Sequence, residues 1–261
     1  YSTAILTVND GNAMVGGLIG NSGSNDLISN CYSTGAVTVI NNGNSRVMVG
    51  GLVGSSNGRI LNSYSTGAVT VASTLSSYGG TNPNQYNDIG GLVGFNTGTI
   101  ENSYSTSPVT FTGAKGLIGG LVGATINDTS IKNSYSTGLI NVTNNVNPDA
   151  PNSVGGLAGY AAGAITDSYW DTQTSGINDA TRGVGATADG SAVSYAGVTG
   201  KTTAELMDPA TYAGSWNFGD GGTWFMLKGY TRPFLQSEYS TTIANGHQLQ
   251  LMVMDPAAHY T

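Results

Sequence analysis

Up to about residue 170, the apolar and polar positions of the chain alternate between two recurring patterns. The first is a short apolar block opened by a glycine pair: "VGGLIG" (15–20), "VGGLVG" (49–54), "IGGLVG" (89–94), "IGGLVG" (118–123) and "VGGLAG" (154–159). The second is a dozen small polar and β-branched residues around one tyrosine: "ISNCYSTGAVTV" (28–39), "ILNSYSTGAVTV" (60–71), "IENSYSTSPVTF" (100–111) and "IKNSYSTGLINV" (131–142). A decayed copy, "ITDSYWDT", stands at 165–172, and "YSTA" at 1–4 matches the end of another. Tyr32, Tyr64, Tyr104, Tyr135 and Tyr169 mark the period, spaced 32, 40, 31 and 34 residues apart. Periods of this size belong to solenoids and arrays, in which each unit buries its apolar side against the next.

Each unit reads as three short strands, "VGGLVG", "TIENSYS" and "AVTV", with Gly- or Asn-bearing corners such as "SSNGR" and "FNTGT" between them. None is long enough for a helix, and two glycines inside the first would cost a helix about 1 kcal/mol each. Strands that stack on their own copies, about 4.8 Å apart, form a parallel β-helix in which like sits on like. The predicted fold is therefore all-β, with about five to six coils.

The stacked columns can be named. Ile28, Ile60, Ile100, Ile131 and Ile165 form one inward aliphatic column; Leu18, Leu52, Leu92, Leu121 and Leu157 form a second. Asn30, Asn62, Asn102 and Asn133, continued by Asp167, read as an amide ladder at a corner, where Asn tolerates the left-handed backbone. Beyond that corner two parities are open for the tyrosine column. Strict alternation turns Tyr inward with Ile, whereas a bend at Asn turns the small Ser and Cys neighbours inward and leaves Tyr as an outer ladder. Cys31, in a slot held elsewhere by Ser63, Ser103, Ser134 and Ser168, favours the bend because cysteine prefers burial.

Composition narrows the classes of function. Charged residues are 9% of the chain, against roughly 25% in an average soluble protein. The net charge of −7 and the absence of Lys/Arg clusters argue against nucleic acid and anionic membrane surfaces. No apolar run approaches the roughly 20 residues of a membrane span. A single cysteine excludes an internal disulfide framework. Length varies only between the third strand and the next glycine block ("INNGNSRVM", "ASTLSSYGGTNPNQYND", "TGAKGL", "NNVNPDAPNS"), so insertions collect on one side.

The pattern changes after the last tyrosine. "TTAELM" (202–207) carries a capping box, Thr202 with Glu205, and predicts a short helix. "WNFGDGGTWF" (216–225) has the form of a hairpin around a Gly-rich turn. Three regions follow from this: a solenoid over 1–169, a capping segment over 170–238 that covers the last coil's open edge, and a strand-rich start of a further unit over 239–261. An aromatic sugar-binding site is the sharper alternative for the middle region.

The consensus "GGLVGxNxGxIxNSYSTGxVT" resembles the GLUG repeat of filamentous-haemagglutinin-like exoproteins of two-partner secretion systems, found also in large bacterial surface peptidases. "SYWDTQTSG", "GKTTAELM" and "RPFL" resemble the segment that follows such repeats, and "IANGHQLQLMVMDPAAHYT" (243–261) the opening of another unit. The resemblance implies a right-handed parallel β-helix in a long secreted, surface-exposed polypeptide whose array continues past both ends. It departs at Ser107 and Pro108, and at 169–172, where Tyr-Ser-Thr-Gly is lost.

Chemistry finds little foothold in the residues. The two histidines, His247 and His259, lack the spacing of a His-Glu-x-x-His zinc helix. Glu101, Glu205 and Glu238 stand in unrelated contexts, and the nearest carboxylate pair, Asp167 and Asp171, flanks "SYW" with one member in the Asn column. Calcium has three candidate stretches, "NDG" (9–11), "NDT" (127–129) and "DGG" (220–222), none with the nonapeptide spacing of a calcium β-roll. The expected function is a structural or adhesive segment of a secreted bacterial surface protein. It has no catalytic residues and no cofactor, and it faces a host or neighbouring cell surface, with glycans and end-to-end self-association as possible contacts. The alternative is a carbohydrate-binding or carbohydrate-active β-helix, whose mark would be a row of exposed aromatics or converging acids. An ice-binding surface would demand a regular Thr array, of which Thr34, Thr66, Thr106 and Thr137 supply one column.

Overall fold

The computed structural model describes residues 1–9, 11–43, 45–74, 86–126, 129–143, 152–185, 195–212, 214–219, 221–243 and 246–261. They fall into two compact units, 1–202 and 203–261.

The first unit is a parallel β-solenoid of five sheets, each collecting the same segment from successive coils. In coil order they are represented by Met48–Gly50, Val53–Ser56, Arg59–Leu61, Tyr64–Ser65 and Val69–Ser73, called here the first to fifth sheets. The fourth sheet has six strands and each of the others five, all parallel within a sheet. Two of the three strands expected per unit are thus broken in the middle. "VGGLVG" turns a corner at Gly-Leu, and "TIENSYS" turns one at Asn, whose φ is +52° at Asn30, +48° at Asn62 and Asn102, and +47° at Asn133.

Space, rather than dihedral freedom, demands the first corner's glycines. A Cβ on Gly51 would overlap the carbonyl oxygen of Gly91 one coil away, and one on Gly91 would overlap both Gly120 O and Ser105 Oγ. The corner is wedged between its own copies and the serines of the fourth sheet. Ser65 Oγ donates to Gly91 O at 2.6 Å and Ser136 Oγ to Gly156 O at 2.7 Å. This contact divides the interior into two cores. Leu52, Leu92, Leu121 and Leu157 pack with Val53, Val93 and the Ile60–Ile100–Ile131 column on one side. Val49, Ile89 and Ile118 pack with Val69, Val109, Val71 and Phe111 on the other. Burying each such side chain stabilises by roughly 1.5–3 kcal/mol.

The last coil closes itself. Trp170 takes the register position of Ser136, so an indole enters the interior where every earlier coil has a small hydroxyl side chain. It is fully buried and lies against Gly156, Gly183 and Gly200, none of which has room for a Cβ beside it. The chain beyond then covers the exposed edges. Leu157 N and Ala158 N donate to Gly183 O, Gly156 N to Arg182 O and Ile140 N to Ser175 O. Val198–Lys201 adds the sixth strand of the fourth sheet. The stacked unit therefore ends at 202, past the boundary at 169 expected from the repeat, because the irregular residues after Tyr169 still hydrogen-bond to the last coil.

The second unit contains the expected short helix, Thr203–Leu206, and a two-stranded antiparallel sheet. The hairpin partner differs from the sequence expectation. Trp224–Phe225 pairs with Phe234–Leu235, while on its other side Trp224 makes only an isolated bridge to Phe218, with Thr223 N and Trp224 N both donating to Asn217 O. Residues Gly246–Leu251 are helical where a strand-rich opening was expected, in keeping with the helix preference of their Gln and Leu side chains.

Replacing Trp170 by Ala should cost about 3–5 kcal/mol, seen as a lower unfolding midpoint in denaturant, because the void lies at a sealed end. At the second corner, Asn102→Gly should leave the midpoint close to wild type, whereas Asn102→Val should lower stability by about 1–2 kcal/mol through the left-handed backbone alone.

Candidate functional site: the stacked columns and a buried carboxylate

The tyrosines form a continuous ladder. Rings of Tyr1, Tyr32, Tyr64, Tyr104 and Tyr135 follow one another at centroid distances of 4.9, 5.0, 5.0 and 5.1 Å and lie within 8° of parallel. Tyr169 continues the register. The bend at Asn decides the parity. Ser65 and Ser136 reach the glycine corner, Cys31 packs on the Leu–Ile core, and Tyr points the other way. The inner rings are nonetheless buried, with Tyr64, Tyr104 and Tyr135 exposing 7, 4 and 2% of their surface, whereas Tyr32 is half-buried and Tyr1 exposed. Burial, with Asp167 as the smaller cause, holds the Tyr169 hydroxyl above its usual pKa.

The leucine column is fully buried from Leu52 to Leu157, with Leu18 half-buried in the first coil. Each backbone N–H donates to the carbonyl of the next, Leu52 N to Leu92 O at 2.9 Å for example. The asparagine column is less uniform than an amide ladder. Asn133 Nδ2 donates to Asn102 Oδ1 at 3.3 Å, but Asn62 Oδ1 is buried with no hydrogen-bond partner among the described residues. What these positions share is the left-handed bend, which Asp167 also adopts at φ +45°.

One feature escapes the sequence reading. Asp88 sits in the first sheet in register with Met48 and Leu117, on the side away from the Val core. There Met48, Tyr86, Phe95, Leu117 and Ala124 make a third apolar cluster. Asp88 is fully buried, and neither carboxylate oxygen accepts a hydrogen bond among the described residues. Its counter-charge is Arg46, with Nη1 3.6 Å from Oδ2 and the guanidinium 4.8 Å from the Phe95 ring centre. Desolvation outweighs that charge and pushes the Asp88 pKa well above the ordinary value. The only signal in the sequence is an acid in a column otherwise filled by Met14, Met48, Leu117 and Ser153. A second buried charge, Lys115, stands in the adjoining loop at φ +58°, its Nζ without a hydrogen-bond partner among the described residues.

The other candidate acids serve local structure. Asp171 Oδ1 accepts from the backbone of Gln173 and Thr174, closing the turn after Trp170, and Glu238 Oε1 accepts from Leu235 N. Glu101 lies in register beside Lys132 on the outer face of the third sheet. The acids of the three calcium stretches, Asp10, Asp128 and Asp220, lie outside the described residues, as do the loops 75–85 and 144–151. Among the described residues no group of three or more His, Cys, Asp or Glu side chains could hold a metal ion, and no helix is long and apolar enough to cross a membrane. In the second unit, a cavity of about 400 Å³ is lined by Phe218, Trp224, Phe225, Met226, Gln236 and Met254. Gln236 is anchored there by donating to Gly219 O and Trp224 O.

The geometry defines a β-solenoid repeat protein in which the recurring residues are the ones that touch their own copies. The GLUG motif model matches four stretches of it, residues 11–40, 45–71, 85–112 and 116–143. No curated protein and no solved structure matches the chain.

Because the folded pKa of Asp88 is raised, the folded chain holds a proton that the unfolded chain has lost at any pH between the ordinary value of 3.8 and the raised one. Stability therefore falls as pH rises through that window, and ionised Asp88 is a net cost above it. Asp88→Asn should raise the melting temperature at pH 7 and leave it unchanged below pH 3.8, as read by a pH series of thermal melts. A lower melting temperature at pH 7 would mean that the Arg46 pair outweighs desolvation.

Proposed function

We propose that this chain is a structural and adhesive segment of a large secreted bacterial surface protein, a stiff spacer that presents binding surfaces to a host or neighbouring cell and performs no catalysis. The observation that carries the reading is the register. From coil to coil Ile meets Ile, Leu meets Leu and Tyr meets Tyr, so the repeated residues are spent on stacking. A two-partner-secreted exoprotein of the filamentous-haemagglutinin type is the context that its four GLUG repeats support best. The low charge of the chain suits a long array whose coils would otherwise repel one another along like-charged columns.

A second reading, carbohydrate binding, is favoured by the aromatic cavity of the second unit. It is not favoured by the tyrosine ladder, whose inner rings are too buried to stack on a sugar.

Beads coated with the chain should adhere to epithelial or bacterial cells saturably, with soluble chain competing. Beads that bind no more than albumin-coated controls would remove the adhesive role. On a glycan array, binding that is lost in Phe225→Ala would establish the second reading, and a flat response would end it. Electron microscopy of the native material separates an anchored adhesin, seen as isolated rods, from end-to-end assembly, seen as fibres.

A further inference from the structure

We propose that the outward face of the fifth sheet is an ice-binding surface, an array of threonine hydroxyls and methyls that holds ordered water in a lattice.

The register places Thr7, Thr38, Thr70, Thr110 and Asn141 in one column, and Asn9, Ile40, Ala72, Thr112 and Thr143 in the next. Between them the inward residues, Val37, Val69, Val109 and Val39, Val71, Phe111, are buried to 1% or less, so the strands are locked from beneath. The outward columns face water, with Thr7, Thr70, Thr143 and Ile40 exposed and Thr38, Thr110 and Thr112 half-buried. Alternation continues upstream across the bend at Gly35 and Gly67, where Thr34 and Thr66 are exposed as well. Of the column read from sequence, Thr34 and Thr66 flank this face, whereas Thr106 is half-buried and Thr137 buried, so the array centres on the Thr38 column.

Three properties of this face select its partner. It is periodic: neighbours lie about 4.8 Å apart along the stack and about 6.7 Å apart along a strand. Its side chains are stiff, since β-branching restricts χ1. It carries no Asp, Glu, Lys or Arg at any outward position of the five strands, although the third sheet of the same coils turns Arg59, Glu101 and Lys132 to solvent. Charge is thus kept off one face and allowed on another. An uncharged, repeating partner with hydroxyl-compatible hydrogen bonding is water in a lattice: the methyls order it and the hydroxyls tie it down. A protein partner fits less well, because threonine is under-represented among interface anchors. A polysaccharide would want aromatic platforms, and Tyr64, Tyr104, Tyr135 and Tyr169 of the adjoining sheet are buried.

The test uses the whole chain. Thermal hysteresis and partition into a slowly growing ice front should both exceed those of albumin, with faceted ice crystals. Thr70→Tyr, which adds bulk outside without touching the core, should abolish both at an unchanged melting temperature, and Glu101→Gln should retain both. If Thr70→Tyr does not fold, Thr70→Lys, whose charge reaches into solvent, takes its place. Wild-type chain excluded from ice without hysteresis, full activity in the folded Thr70 variant, or binding to crystalline cellulose in place of ice would each overturn the proposal. Cell adhesion by coated beads is read separately, so either role can fail without the other.

Discussion

The structure depends on one contact repeated from coil to coil: the Gly-Gly-Leu corner pressed between its own copies and the serines of the facing sheet. Backbone carbonyls there lie where a Cβ would stand, so the coil keeps its shape only while glycine occupies the corner. The serine hydroxyl that bridges to the glycine carbonyl pins the corner across the interior. With the corner in place, the two cores on either side each fill with aliphatic columns in register. Backbone polarity is met by the coils above and below, as any stacked β-structure requires.

That arrangement explains how the charges are distributed. A column that places like beside like every 4.8 Å or so tolerates threonine, serine or tyrosine, but a column of one charge would repel itself. On the third sheet Glu101 and Lys132, opposite in sign, share one column at neighbouring levels, while Arg59 stands in another column beside Thr99. Asp88, like Lys115 in the adjoining loop, is an exception. It enters an apolar column with Arg46 as its counter-charge, and desolvation raises its pKa.

Ends are the weak points of a solenoid, and here the C-terminal end is sealed by a change of residue size in a known column. A serine becomes a tryptophan, the interior fills, and carbonyls of the following segment accept hydrogen bonds from the last coil's N–H groups. The decayed "SYWDT" copy is therefore a terminating coil rather than a degraded one.

The sequence by itself determined the period, the fold class and the membership of the Ile, Leu, Asn and Tyr columns, because in-register stacking writes its contacts as identical letters at a fixed spacing. It also marked the left-handed corner, since few residues other than Asn and Gly sit there willingly. Tertiary structure alone decided that there are five sheets and not three, that the interior has two cores, that the inner rings of the tyrosine ladder are buried although they point outward, and that the strand ladder of Trp224–Phe225 is made with Phe234–Leu235, with only an isolated bridge to Phe218. It alone also revealed the threonine face and the buried carboxylate. The physical reason is that a repeat records which residues meet their copies along the stack, whereas the angle of each corner and whatever lies across the coil are set by side chains far apart in the chain, and no spacing encodes them.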